Sequence, residues 1–157
     1  MFKEKTSKLA KGSIAYFTGG SGRPLIHLHG AGGVRPNAGL EALAENVTLY
    51  MPVLPGFDGT SEIDGVTSME TLADLVADFI DEEIGEAVDV LGLSFGGWLG
   101  AWLAVRHPSK VGQLCLENPA GFHPDPMAAP SSDPELRKQQ MYAYPDRLPP
   151  EIKPEDI

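Results

Sequence analysis

The sequence predicts an α/β fold: a three-layer α/β/α arrangement whose mostly parallel sheet is covered by helices on both faces. Three observations carry this. Short apolar runs alternate with amphipathic stretches over most of the chain. The runs are apolar nearly throughout, as strands buried on both faces are. Finally, Gly92-Leu93-Ser94-Phe95-Gly96-Gly97 joins one such run, Val88-Asp89-Val90-Leu91, to a helical stretch that ends at Pro108.

Taken in order, Ile14 to Thr18 reads as a short strand closed by the turn Gly19-Gly20-Ser21-Gly22. Leu25-Ile26-His27-Leu28 is the next strand and runs into His29-Gly30-Ala31-Gly32-Gly33. A helix is expected from about Asn37, with Leu40, Leu43 and Ala44 on one face. Val47 to Met51 is a strand stopped by Pro52 and followed by Pro55-Gly56-Phe57. The clearest helix starts at Thr67, where Thr67 and Glu70 stand at capping-box spacing. Met69, Leu72, Val76, Phe79 and Ile80 then recur at helical intervals, with Asp74, Asp78 and Asp81 turned outward. Val88 to Leu91 is a strand, Phe95 to His107 a helix, and Val111 to Leu116 the last strand. Past Pro124 the texture changes. Eight of the chain's fourteen prolines fall between Pro124 and Ile157, beside a charged patch at Glu135, Arg137 and Lys138. Only a turn or two of helix is expected there, around Pro134 to Tyr142. Residues 1–123 therefore read as core and residues 124–157 as a Pro-rich excursion.

A chain of 157 residues suffices for one domain with a sizeable core. Acidic residues outnumber basic ones 22 to 12, a formal charge of −10. That balance disfavours nucleic acids and anionic membrane surfaces as partners. The single cysteine, Cys115 in Leu114-Cys115-Leu116, is expected to pack as a small hydrophobe and has no internal disulfide partner. No zinc-ligand spacing occurs, and neither metal nor organic cofactor is expected. The start, Met1-Phe2-Lys3-Glu4-Lys5, lacks the apolar stretch of a secretory signal, and no run is long enough to cross a bilayer. A cytoplasmic location follows as the expectation.

A strand, Gly-x-Ser-x-Gly and a helix in that order hold a serine hydroxyl at the tip of a sharp, strained turn. The residues two before and two after the serine must be small, and Gly92 and Gly96 are. Gly97 and Gly100 let the following helix lie close to the sheet. A nucleophilic serine is the chemistry this spacing suits.

With His29-Gly30-Ala31-Gly32-Gly33, Leu54-Pro55-Gly56-Phe57 with Ser61 beyond, the Ser94 turn and Leu116-Glu117-Asn118-Pro119-Ala120-Gly121, the chain resembles the α/β-hydrolase superfamily. The resemblance covers about Ile14 to Phe122. It implies Ser94 as nucleophile, with the backbone N–H groups of Phe95 and Ala31 as the oxyanion hole. His29, Gly30 and Gly32 would then be parts of the supporting loop, with Gly33 beside them. It implies a small ester-like or related carbonyl substrate attacked through an acyl-enzyme, because a serine at this position, not an aspartate, forms an acyl ester.

A serine hydroxyl needs a base within hydrogen-bond reach. In this fold the chain order is serine, acid, histidine. The resemblance places the last two after a seventh and an eighth strand, which this sequence lacks, so it matches an N-terminal portion ending at the start of a cap. Of the four histidines, His27 lies within a strand, and His107 sits about 20 Å along the helix from Ser94. His123 could approach from the end of the sixth strand and is the one candidate base, against the competing reading of a loop or cap residue. Glu117, closing that strand, is the candidate acid, against the competing reading of a strand-end carboxylate bonded to nearby backbone. Asp58 and Asp125 read as turn residues. A sheet ending at its sixth strand exposes an apolar edge, so self-association or a partner chain covering it is expected. Two other readings stay open: a non-catalytic relative that keeps the pocket, and one half of a two-chain hydrolase.

Overall fold

The computed structural model describes residues 2–122, 132–141 and 146. Six strands form one sheet: β1 (Lys3–Leu9), β2 (Gly12–Gly20), β3 (Arg23–Leu28), β4 (Val47–Pro52), β5 (Val88–Leu93) and β6 (Val111–Glu117). Their order across the sheet is β1-β2-β4-β3-β5-β6. β1 and β2 are antiparallel, as are β2 and β4; the four strands from β4 to β6 are parallel. The helices are α1 (Ala38–Leu43), α2 (Met69–Glu83), α3 (Phe95–Arg106) and α4 (Pro134–Met141). The chain divides into two compact units, Met1–Phe122 and His123–Ile157. α4 belongs to the second, and the helix expected around Pro134 is there.

Alternation along the strands sorts the core into two layers. Ile14, Tyr16, Ile26, Leu28, Val88 and Val90 point to one face, where they meet Leu75, Phe79 and Ile80 of α2 and Leu99 and Leu103 of α3. Several of these side chains are fully buried, each contributing roughly 1.5–3 kcal/mol. Leu49, Met51 and Val47 point to the other face, against Leu40 of α1 and Val34. From β3 the chain turns one way, through α1 to β4; from β5 it turns the other way, through α3 to β6. The strand order thus reverses between β3 and β5, and the crevice outside their carboxyl ends is where such sheets bind ligands.

Three expectations need correction, and one strand, β1, has no counterpart among them. β1 carries no apolar alternation, since Ser7 is its one buried residue, and it forms by pairing along an edge with β2. The cap of α2 is Ser68, not Thr67: Ser68 Oγ accepts from Thr71 N while Thr71 Oγ1 accepts from Ser68 N. A hydroxyl at the third position serves as well as the expected carboxylate. Leu43 does not join Leu40 in the core; α1 is only six residues long and Leu43 is 41% exposed. Cys115 is exposed. Leu114 and Leu116 take the face toward Gly100 of α3, so Cys115 between them turns to the opposite face, which among the described residues no helix covers over β6.

Candidate active site

Ser94 lies between the last residue of β5 and the first of α3, at φ 51° and ψ −109°. A side chain at positive φ is crowded by its own backbone, and such geometry persists only where the surroundings over-determine it. Here they do. A Cβ on Gly96 would stand 2.0 Å from the carbonyl oxygen of Leu28, and one on Gly92 would stand 2.5 Å from that of Gly96. Helix α3 therefore starts almost in contact with the ends of β3 and β5, and only glycine allows it.

The segment after β6 completes the clamp. Ser94 N donates to Glu117 O at 2.9 Å, and Ala120 N donates to Ser94 O at 2.9 Å. Asn118 itself sits at φ 43°, and Pro119 packs against Gly97. The sequence marks Leu116 to Gly121 as a motif, but nothing in it says that this motif holds the serine from both sides.

The loop after β3 faces the serine from the other strand. An added Cβ on Gly30 would lie 3.6 Å from Ser94 Cβ. Gly33 N donates to Gly30 O, closing a turn whose two middle residues, Ala31 and Gly32, are exposed. His29 is buried beneath it. Leu54 N donates to His29 Nε2 at 3.1 Å, so the proton resides on Nδ1, which lies 2.7 Å from Gly30 O and donates to it. Both ring nitrogens are consumed in a neutral tautomer, and burial pushes the imidazole pKa down. His29 thus shapes the loop and has no free nitrogen for a proton transfer.

Asp58 and Arg35 were not legible as site residues. Asp58 stands at φ 50° in the turn after β4. Its carboxylate accepts from Val34 N at 2.7 Å and from the Arg35 guanidinium at 2.8 Å, tying the β3 loop to the β4 loop. Those bonds, the Arg35 contact foremost, hold the Asp58 carboxyl below the usual carboxylate range.

No histidine among the described residues bonds the Ser94 hydroxyl. His27 is buried on β3 with Nδ1 unpartnered there, and desolvation pushes its pKa down to about 4. His107, at the far end of α3, bonds Asp74 together with Arg106. His123 lies outside the described residues. The Glu117 side chain lines a concavity of about 410 Å³ with His27, Leu91 and Leu93, on the α1 side of the sheet, while its backbone holds Ser94. Ser94 caps α3 without a side-chain bond, leaving its hydroxyl and the first N–H groups of the helix free of partners among the described residues. Ser94 is thus a strained serine beside unpaired helix-end donors, facing the glycine loop after β3.

Residues 25–155 match the family model described as the alpha/beta hydrolase family. The chain belongs to that family. It is 37% identical over 106 residues to the dihydrolipoyllysine-residue acetyltransferase component of the acetoin cleaving system of Cupriavidus necator, covering 66% of this chain and 28% of that protein. It is 35% identical over 109 residues to 2-hydroxymuconate semialdehyde hydrolase of Pseudomonas sp. strain CF600, covering 65% of this chain and 38% of the relative. Among solved structures it superposes on a bacterial membrane phospholipase A with TM-score 0.69 at 29% identity, covering 78% of this chain and 41% of that one. The chain thus spans between about a quarter and two-fifths of these alpha/beta hydrolase relatives. Among the described residues, no helix is long and apolar enough to cross a membrane.

Proposed function

We propose that this alpha/beta hydrolase chain carries the nucleophile and oxyanion hole of a serine hydrolase acting on a small ester-like or related carbonyl substrate. In this reading Ser94 Oγ attacks the carbonyl carbon and passes its proton to a base. The tetrahedral intermediate collapses with loss of the alcohol, and water then cleaves the acyl-enzyme. The N–H groups of Phe95 and Ala31 receive the developing oxyanion; one such donor is worth about 3 kcal/mol of barrier. His29, Gly30 and Gly32 keep the loop in place.

The observation that carries this reading is the backbone of Ser94: a positive φ between strand and helix, held from four sides by Gly92, Gly96, Glu117 and Ala120. No structural purpose requires a serine there, and glycine would fit with less strain. Fluorophosphonate labelling tests it. Labelling confined to Ser94, and lost in Ser94→Ala, is the expected result where a base is present. His123→Ala then asks whether His123 is that base, with Glu117→Gln as the matching test of the acid. A chain that keeps its label after Ser94→Ala would overturn the assignment. A second reading, a pocket-bearing relative without its own base, draws on the engagement or remoteness of His27, His29 and His107. Complete absence of labelling in a folded chain favours it.

A further inference from the structure

A second cavity, of about 570 Å³, opens beside the elbow on the α2–α3 side of the sheet. That volume lies within the range of small-molecule sites. Phe95, the residue after Ser94, lines it, and its ring stands 5.4 Å from that of Phe57. Phe57 in turn meets the edge of His29 at 4.9 Å. The remaining apolar wall is Pro55, Val66, Met69, Leu72 and Trp98.

Among the described residues, the polar ones lining this cavity are Thr67, Ser68 and Glu62. Ser68 Oγ is engaged in the cap of α2, accepting from Thr71 N. Among the described residues, Glu62 is the one charged residue lining the cavity, and it is exposed. No cationic side chain among the described residues lines it. The concavity on the opposite face differs, being lined by Arg35, His27 and Glu117. Trp98 is fixed in its place by the segment that clamps Ser94: a Cβ on Gly121, at φ 81°, would stand 2.5 Å from the indole.

Resting on Ser94 as nucleophile, we infer that this cavity seats the acyl side of the substrate, and that the group it takes is apolar and uncharged at its far end. A chain extending from a carbonyl at Ser94 past Phe95 enters walls that offer burial and no counter-charge. A terminal carboxylate there would lose water without gaining a partner and would face Glu62. Neutral alkanoyl and aryl esters fit this description, and half-esters of dicarboxylic acids do not.

Binding to the Ser94→Ala chain, which removes turnover, tests the pocket alone. Calorimetric titration with methyl hexanoate and with monomethyl adipate compares one chain length with and without the terminal charge. The expected result is at least about tenfold tighter binding of the neutral ester, a gap that Glu62→Gln narrows. Val66→Trp should weaken methyl hexanoate by at least about tenfold by filling the cavity, and Met69→Trp serves if the first variant does not fold. Equal affinity for the two esters, or unchanged affinity in a folded tryptophan variant, overturns the inference. Labelling of Ser94 in the parent chain tells the two failures apart. A labelled serine with an indifferent pocket sinks the pocket alone; a selective pocket with a serine that never labels upholds the pocket and favours the relative without its own base.

Discussion

Two turns meet outside the carboxyl ends of β3 and β5, and they are held by different means. The Ser94 turn is fixed by close backbone approach and backbone hydrogen bonds: two glycines that admit no Cβ, and the bonds to Glu117 and Ala120. The His29–Arg35 loop is fixed through side chains: a neutral imidazole accepting from Leu54, and the Asp58 carboxylate accepting from Val34 and Arg35. The difference teaches where each is vulnerable. A turn held by backbone contact is indifferent to pH and intolerant of any added atom. One held by ionisable side chains tolerates small changes and answers to protons.

The sharpest way to break the contrast is Gly96→Ala. A methyl placed 2.0 Å from a backbone carbonyl has nowhere to go, and the expected cost is above about 3 kcal/mol, read as loss of the urea unfolding midpoint. Near-parental stability would mean that the turn is looser than described. Acid comes next. Both His27 and His29 have folded pKa values depressed by burial below 6.5, His27 to about 4. Between those limits the unfolded chain binds protons that the folded chain refuses. The His27 contribution is therefore full above pH 6.5, falls as the pH drops, and levels off below about 4. His27 contributes roughly 3 kcal/mol to that fall. Urea melts at pH 7 and pH 4 check it, and His27→Gln should flatten the slope.

Smaller is Asp58→Ala, which strips Val34 N of its acceptor and should cost about 1–2 kcal/mol. Asp58→Asn, which tolerates the same positive φ and can still accept, should recover most of it. A loss equal in both variants would assign the effect to charge alone. The smallest is a gain: Ser94→Gly relieves a side chain at positive φ and should raise stability by about 1 kcal/mol, visible as a higher thermal midpoint. A drop instead would give the serine a structural role.

Most of the fold was legible because it is written in local patterns. β2 to β6, α2 and α3 follow from apolar runs, helical spacing and prolines at the ends. What escaped depends on partners distant in sequence. β1 has a polar surface pattern and exists because β2 offers an edge. Cys115 sits in an apolar run yet is exposed, since burial depends on what covers the far face of β6. Ser94 and the His29 loop were legible through small residues at fixed spacing. Asp58 was not, because Gly-Phe-Asp-Gly reads as a turn and its two bonds reach 24 and 23 residues back.

The bond from Ala120 N to Ser94 O has a consequence for how the molecule comes into being. The serine's final posture depends on a residue that emerges from the ribosome 26 positions after it. During synthesis the bend can be sketched by its glycines, but it cannot be locked until the sixth strand has been laid down beside the fifth. Assembly of this corner is therefore a late event, timed by translation of the segment that follows it.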